Sequence, residues 1–429
     1  MDSVIKRPDG SYTLDYTNSE ANRLLAEITL KEYYDLVILI PRTNLCPKIP
    51  NRASYIMWIE RLMRVMNLLS PNSSRDSSAP LQGMDIGTGA TCIYPLMACR
   101  RHPNLIFLAT DISEESLECA QRNVNANGLH DRIRLAQTSP FNTLPVELIK
   151  QETTRYDFCM CNPPFYSSWE EVVLAQKAKV EPPSAPVSGQ ANELITVGGE
   201  RAFIHRMIRE SKEVTDKVRW FTTMVGKRET MLDMILFFKE YEVEAFTLGD
   251  IQIGKTHRWV IAWSFSEDRP ITSLMPKVSQ RTAHLQPTGQ YTAWIDLPRL
   301  RSVQAIYGWV EECVMGEWGV REMGGWVGEG EHLWVGRIEE VTWTRKAKRR
   351  RKGECPGQQM DDPIQPKEPL KIAILLLPLL EEKGWRVEVW CVQGKDSGVF
   401  DSFSSIFLRR LRSVVDGWIK EGEGCTESP

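Results

Sequence analysis

Through the middle of the chain, short apolar runs alternate with amphipathic stretches. LQGMDIG, LIFLATD, RIRLAQ, YDFCMC, VRWFTTMVG and RWVIAWSF have the length and composition of buried strands. TCIYPLMACRR, EESLECAQRNVNANGL and ETMLDMILFFKEY lie among them with helical spacing. This alternation predicts a parallel, doubly wound α/β sheet with helices on both faces, in which RWVIAWSF is a late strand or hairpin member. Ahead of it, residues 1–70 read as a helical module, with an apolar stripe at Tyr55, Ile59, Leu62 and Met66. The α/β pattern fills residues 71–268. Residues 269–298 are rich in proline and polar side chains and read as a linker. Residues 299–429 read as a second, smaller α+β domain. Between Phe165 and Glu200 runs a long stretch of low order, expected to be a lid because it directly follows Asn-Pro-Pro-Phe.

Composition narrows the class. With 429 residues the chain exceeds one ordinary core, so two domains are expected. A hydrophobic share of 42% and a charged share of 25% fit a soluble globular protein, and no apolar run is long enough for a membrane span. The opening MDSVIKRPDGSYTLDYTNSE is too polar for a secretory signal. Ten cysteines and six histidines are scattered without ligand spacing, so no metal is expected and reduced thiols point to a nuclear or cytosolic setting. A net charge of −3 excludes a molecule that is basic all over; any nucleic-acid surface is local.

Candidate chemistry begins at GMDIGTGA. Gly87 and Gly89, two residues apart between a strand and a helix, make a tight turn that lets backbone approach a ligand. The next strand ends on Asp111, where an acid accepts ribose hydroxyls; a helix cap is the competing role. Together they predict a nucleoside-bearing cofactor. The nicotinamide fingerprint is incomplete, since Ala90, Thr91 and Cys92 follow Gly89. Asp85-Ile86-Gly87-Thr88-Gly89, a later acid, and then Asn162-Pro163-Pro164-Phe165 form the pattern of S-adenosylmethionine-dependent enzymes that methylate exocyclic or amide nitrogens.

The chemistry explains that clamp. An amino group conjugated to a ring is a poor nucleophile because its lone pair is delocalised. The Asn162 side-chain oxygen and the Pro163 carbonyl can each accept one of its N–H bonds. Pro164 stiffens the carbonyl's position, and Phe165 can stack on the base. Methyl transfer in line then needs orientation rather than a nucleophilic side chain. A thiolate route through Cys159 or Cys161 is the weaker option, because cysteines in apolar strands are usually packing.

The joint run NLCPKIPNRASYIMWIERL, MDIGTGATCIYPL, FLATDIS, YDFCMCNPPFY, the Gly-Gly-Glu at Gly198 to Glu200, and GKTHRWVIAWSF resembles the methyltransferase-like protein 16 family, N6-adenosine methyltransferases of U6 small nuclear RNA and related hairpins. The resemblance covers roughly Ile40 to Phe265. It implies a Rossmann-like class I methyltransferase fold, S-adenosyl-L-methionine as cofactor, and structured RNA as partner. It also implies that Arg52 reaches the cofactor's carboxylate, that Gly87 and Thr91 line the cofactor, that Asp111 (where the family carries Glu) holds the ribose, and that Thr143 stands beside it. The N-terminal module and the stretch after Asn-Pro-Pro-Phe would contact RNA through Lys31, Lys177 and Lys179, and Arg258 would face the same RNA. The C-terminal domain would be an accessory RNA-binding domain.

Arg345, Lys346, Lys348, Arg349, Arg350 and Arg351 form the strongest basic run in the chain. It suits phosphate contact, a nuclear localisation signal, or both. Two other readings stay open: a protein glutamine N5-methyltransferase, and an RNA-binding regulator with little turnover. The exact RNA and the oligomeric state are not legible.

Overall fold

The computed structural model describes residues 4–6, 9–69, 79–177, 191–243, 245–253, 256–286, 292–298, 304–318, 320–327, 332–338, 342–343, 370–379, 384–394 and 396–420. The chain divides into two compact units: Met1–Met63, Arg75–Ser266 and Met275–Gln286 form one, and Arg64–Ser74, Glu267–Leu274 and Pro287–Pro429 the other.

The first unit does not open on a helix, as residues 1–70 had suggested, but on a hairpin of β1 (Val4–Lys6) and β2 (Tyr12–Leu14). Asp9-Gly10 makes its turn: Gly10 is left-handed and the Asp9 carboxylate takes the Ser11 N–H at 2.9 Å. Helices α1 (Ser19–Tyr34) and α2 (Ile49–Leu68) follow. Asn18 caps α1 by accepting the Glu20 and Ala21 N–H groups. On α2 the stripe at Tyr55, Ile59, Leu62 and Met66 is buried throughout.

The strands and helices of the α/β region come in the predicted alternation. They are β3 (Leu81–Ile86), α3 (Ile93–Arg101), β4 (Leu105–Asp111), α4 (Glu114–Ala126), β5 (Ile133–Gln137), α5 (Val146–Gln151) and β6 (Tyr156–Cys161). The stretch after Phe165 is not simply a loop. It holds α6 (Trp169–Lys177) and α7 (Ala191–Leu194) before α8 (Gly199–Ser211). Then come β7 (Val218–Val225), α9 (Arg228–Glu240), β8 (Ala245–Ile253) and β9 (Thr256–Ser264). These strands form one seven-stranded sheet in the order β5-β4-β3-β6-β7-β9-β8. Strands β5, β4, β3, β6 and β7 are parallel to their neighbours, whereas β9 is antiparallel to both β7 and β8. The order reverses at β3, where a doubly wound sheet opens a crevice beyond its strand ends. Register brings the chemistry level: Ile86 pairs with Thr110 on one side and with Cys161 on the other, so Gly87, Asp111 and Asn162 leave the sheet together.

Residues 269–298, expected to be a linker, carry structure: α10 (Gln280–Ala283) belongs to the first unit and β10 (Thr292–Leu297) to the second. The second unit continues with α11 (Gln304–Val310), β11 (Arg321–Val327), β12 (His332–Ile338), β13 (Leu370–Pro378), β14 (Trp385–Gln393) and α12 (Ser397–Lys420). Its antiparallel sheet has the order β10-β14-β13-β12-β11. Phe400, Phe403, Phe407, Leu411 and Val415, spaced three or four apart on α12, share a core with alternate residues of β13 and β14. The α+β character expected of this domain is what the described residues show.

Candidate functional site

Glycine is required at the turn after β3. Gly87 has φ 70° and Gly89 has φ 66°, both left-handed, and a Cβ at either would be strained. Cys92, just before α3, takes φ 49° without being glycine, a costly backbone state of the kind that gathers at functional sites.

Beneath this turn Asp85 is fully buried, and neither carboxylate oxygen has a hydrogen-bond partner. Burial lifts its pKa to about 7 and the nearby Asp111 carboxylate adds to the rise. Thr88 and Arg52 pull the other way; the Thr88 hydroxyl is near but out of hydrogen-bonding geometry. Arg52, from the first turn of α2, lays its guanidinium 5.2 Å from the centre of the Tyr94 ring, and its buried Nε has no acceptor. An unpaired carboxylate and an unpaired guanidinium donor beside one glycine turn suit a zwitterion, with ammonium toward Asp85 and carboxylate toward Arg52.

Asp111 does two things at once. Its Oδ2 accepts the Gly89 N–H at 2.8 Å and its Oδ1 the Ser113 N–H at 2.9 Å, which binds the second strand's end to the glycine turn. The cap of α4 is Ser113, whose hydroxyl accepts the Ser116 N–H. Each Asp111 oxygen keeps a lone pair for a sugar hydroxyl. Thr91 is buried behind the turn. Thr143 lies in the loop after β5; its N–H donates to Glu210 Oε2 at 2.8 Å and its buried hydroxyl has no partner.

At the end of β6, Asn162 is half-buried and its Oδ1 is sequestered with no donor to satisfy it. A buried carbonyl oxygen without a partner is costly, and an amino group entering the crevice would supply what is missing. Pro163 is buried, Pro164 and Phe165 are half-buried. The strand carrying them is held by a residue that the sequence pattern gave only as packing. Tyr55 of α2 reaches into the sheet, where its hydroxyl accepts the Cys161 N–H at 3.3 Å and meets Thr222 Oγ1 at 2.6 Å.

The Phe165 ring is equally constrained. A Cβ at Gly226 would stand 2.7 Å from Phe165 Cδ1, so only a glycine leaves room for the ring. Glu200 of the Gly-Gly-Glu holds that glycine in place by accepting the Gly226 and Lys227 N–H groups at 2.8 and 2.9 Å. Arg258 from β9 sits 5.3 Å from the centre of the same ring. Burial lowers its pKa, and its Nη1 donates to the His257 carbonyl at 2.9 Å. Tyr55, Glu200, Glu210 and Gly226 thus belong to the site although no local pattern marks their roles, the Gly-Gly-Glu motif apart.

The two cysteines beside the clamp are fully buried. Burial pushes the Cys159 thiol up to about 12 and Cys161 well above its ordinary value, which removes the thiolate that a cysteine route requires.

Of the expected RNA contacts, Arg258 lies at the clamp. Lys31 is exposed on α1 and pairs with Asp35, a surface contact that leaves it open to exchange. Lys177 ends α6, while Lys179 and the run containing Arg345, Lys346, Lys348, Arg349, Arg350 and Arg351 lie outside the described residues. Among the described residues no group of His, Cys, Asp and Glu could hold a metal, and no helix is long and apolar enough to cross a membrane.

The strand order with its reversed β9, the left-handed glycine turn and the polar clamp at the end of β6 define a class I methyltransferase. A family model described as RNA methyltransferase matches residues 1–267, and the chain belongs to that family. It is 29% identical over 411 residues to the U6 small nuclear RNA (adenine-(43)-N(6))-methyltransferase of Schizosaccharomyces pombe, covering 95% of this chain and 98% of the relative. It is 34% identical to the RNA N(6)-adenosine-methyltransferase METTL16 of Homo sapiens, over 62% of this chain and 46% of the relative, and so spans about half the length of that protein. Two crystal structures from human METTL16 align with part of the chain. The catalytic domain in complex with MAT2A 3'UTR hairpin 1 aligns with TM-score 0.56 and 31% identity, over 63% of this chain and 90% of that one. The N-terminal domain in complex with SAH aligns with TM-score 0.50 and 31% identity, over 62% and 89%.

Proposed function

We propose that this chain transfers a methyl group from S-adenosyl-L-methionine to N6 of an adenosine in structured RNA, with U6 small nuclear RNA or a similar hairpin as substrate. The observation that carries the reading is the buried, unpartnered Asn162 Oδ1, which follows β6 where β6 ends level with β3 and its glycine turn. The cofactor supplies an electrophilic methyl group on a sulfonium. Arg52 and Asp85 would hold the two charges of its amino-acid end, Gly87, Gly89 and Thr91 its backbone-lined bed, and Asp111 with Thr143 the nucleoside end. Asn162 and the Pro163 carbonyl would take the two N–H bonds of the adenine amine, so that its lone pair turns toward the methyl group. Phe165 would hold the base plane. An adenine inside a helix must be turned out to reach this clamp.

In this reading Arg258, beside the Phe165 ring, contacts the RNA at the clamp, and Lys31, Lys177 and Lys179 contact it as well. The second unit grips the RNA elsewhere, with Arg345, Lys346, Lys348, Arg349, Arg350 and Arg351 contacting phosphate. The same run would direct the protein to the nucleus. The two named relatives that methylate adenine N6 in RNA favour this substrate over protein glutamine.

The test is to incubate the protein with methyl-labelled cofactor and either a U6-type hairpin or total protein. Label in RNA at N6-methyladenosine that disappears with Asn162→Ala supports the proposal. Label in protein supports the glutamine reading, and RNA binding without label the regulator.

A further inference from the structure

Another carboxylate stands beside the glycine turn and has no part in the reading above. Glu193 lies in α7, and a Cβ at Gly89 would stand 3.7 Å from its Oε1. That same oxygen accepts from Asn44 Nδ2 at 3.2 Å, and Oε2 accepts the Leu45 N–H at 2.9 Å. Asn44 and Leu45 lie in the segment that leads into α2, a few residues before Arg52. Asn44 is only 3% exposed, so these bonds are made in an interior setting where a lost partner is felt.

The backbone around Glu193 is tied to the clamp as well. The Leu194 carbonyl accepts the Tyr166 N–H at 3.0 Å, and the Tyr166 carbonyl accepts the Thr196 N–H at 2.9 Å. Tyr166 directly follows Phe165. One side chain therefore joins the segment carrying Arg52 to the strap behind Asn-Pro-Pro-Phe, at the level of Gly89. The chemistry demands an acid here. A carboxylate offers acceptors at both oxygens, whereas a glutamine amide would turn an NH2 toward either Asn44 Nδ2 or the Leu45 N–H.

We propose that Glu193 is a positioning residue for the donor pocket, fixing the spacing of Arg52, Gly89 and Asn162 on which donor affinity depends. The proposal rests on reading that pocket as the S-adenosylmethionine site. A residue that only held the fold together would lower thermal stability and leave donor affinity alone.

The experiment measures S-adenosylhomocysteine binding by calorimetry, together with methylation kinetics and melting temperature. It uses the full chain and the Glu193→Gln, Glu193→Ala, Asn44→Ala and Glu193→Ala/Asn44→Ala variants. Glu193→Gln, close to the native shape, keeps the fold testable. Its expected effect is a rise of roughly tenfold in both the Kd for S-adenosylhomocysteine and the KM for S-adenosylmethionine, the size of one charge-assisted hydrogen bond, with the KM for RNA within about twofold. Asn44→Ala is expected to weaken donor binding alone but to add nothing in the Glu193→Ala background. Failure of the unaltered chain to bind S-adenosylhomocysteine removes the pocket reading and this proposal with it. Normal binding by the unaltered chain with no change in Glu193→Gln and Glu193→Ala overturns this proposal alone. A fall in melting temperature or kcat at unchanged donor affinity also overturns it.

Discussion

The Arg258 guanidinium lies 5.3 Å from the centre of the Phe165 ring. A cation over an aromatic face is favourable in itself, and in the proposed function Arg258 also contacts the RNA. Removing it separates the RNA from the donor. Arg258→Ala is expected to weaken hairpin binding several-fold and to lower the slope of log K against log salt by about one. Binding of S-adenosylhomocysteine is expected to stay unchanged. Filter binding across a salt series, with calorimetry for the donor, checks both halves.

Gly226 offers a sharper test of the ring's position. The added methyl of Gly226→Ala would stand 2.7 Å from Phe165 Cδ1, so the ring must move. Displacement of a positioning group by about 1 Å can cost roughly 10²-fold in rate. The expected outcome is a loss of that order in kcat/KM for RNA with donor affinity retained, read in steady-state kinetics.

Tyr55→Phe removes one oxygen from a dry interior. It leaves the Cys161 N–H and the Thr222 hydroxyl without their partner. A cost of roughly 1–3 kcal/mol follows from stranding a buried polar group. Calorimetric scanning is expected to show a lower melting temperature, and methylation to fall because the strand end bearing Asn162 is less well held.

Asp85 sets a pH dependence whose sign is fixed. Its folded-state value of about 7 lies above the ordinary 3.8. Between those values the folded chain holds a proton that the unfolded chain has lost, so this group's contribution to stability declines as pH rises across that window. Donor binding runs the opposite way, because an ammonium prefers the ionised carboxylate. Affinity for S-adenosylhomocysteine is expected to climb as pH rises toward about 7 and to level off above it. Asp85→Asn is expected to weaken binding and flatten the profile.

What was legible in the chain follows the strength of the local signal. Strands β3, β4 and β6 announce themselves because they are largely buried on both faces, which demands continuous apolar runs. The glycine turn shows because left-handed backbone needs glycine. Asn162 to Phe165 shows because tandem proline after an asparagine has few other uses.

The supports were hidden for a different reason. Tyr55 reads as one more apolar position on a helix stripe, and nothing local says that its hydroxyl reaches a strand more than a hundred residues away. Glu200 and Glu210 look like ordinary helix-surface acids until the fold buries them. The hairpin at Val4 to Leu14 had its Asp-Gly signal, but its strands are only three residues each. Helix α6 is hard to read from the sequence because Trp169, Val173 and Leu174 are exposed, which blurs the two-sided pattern that marks a helix.

The reach of Tyr55 into the sheet means that the leading helices are not an accessory bolted onto a self-sufficient enzyme. A shortened chain that began after α2 would lose the hydroxyl that steadies the last peptide before the clamp, and Arg52 with it. The chemistry therefore does not begin where the sheet begins: α2 already carries two of its parts, and that helix would be inherited with the sheet or not at all.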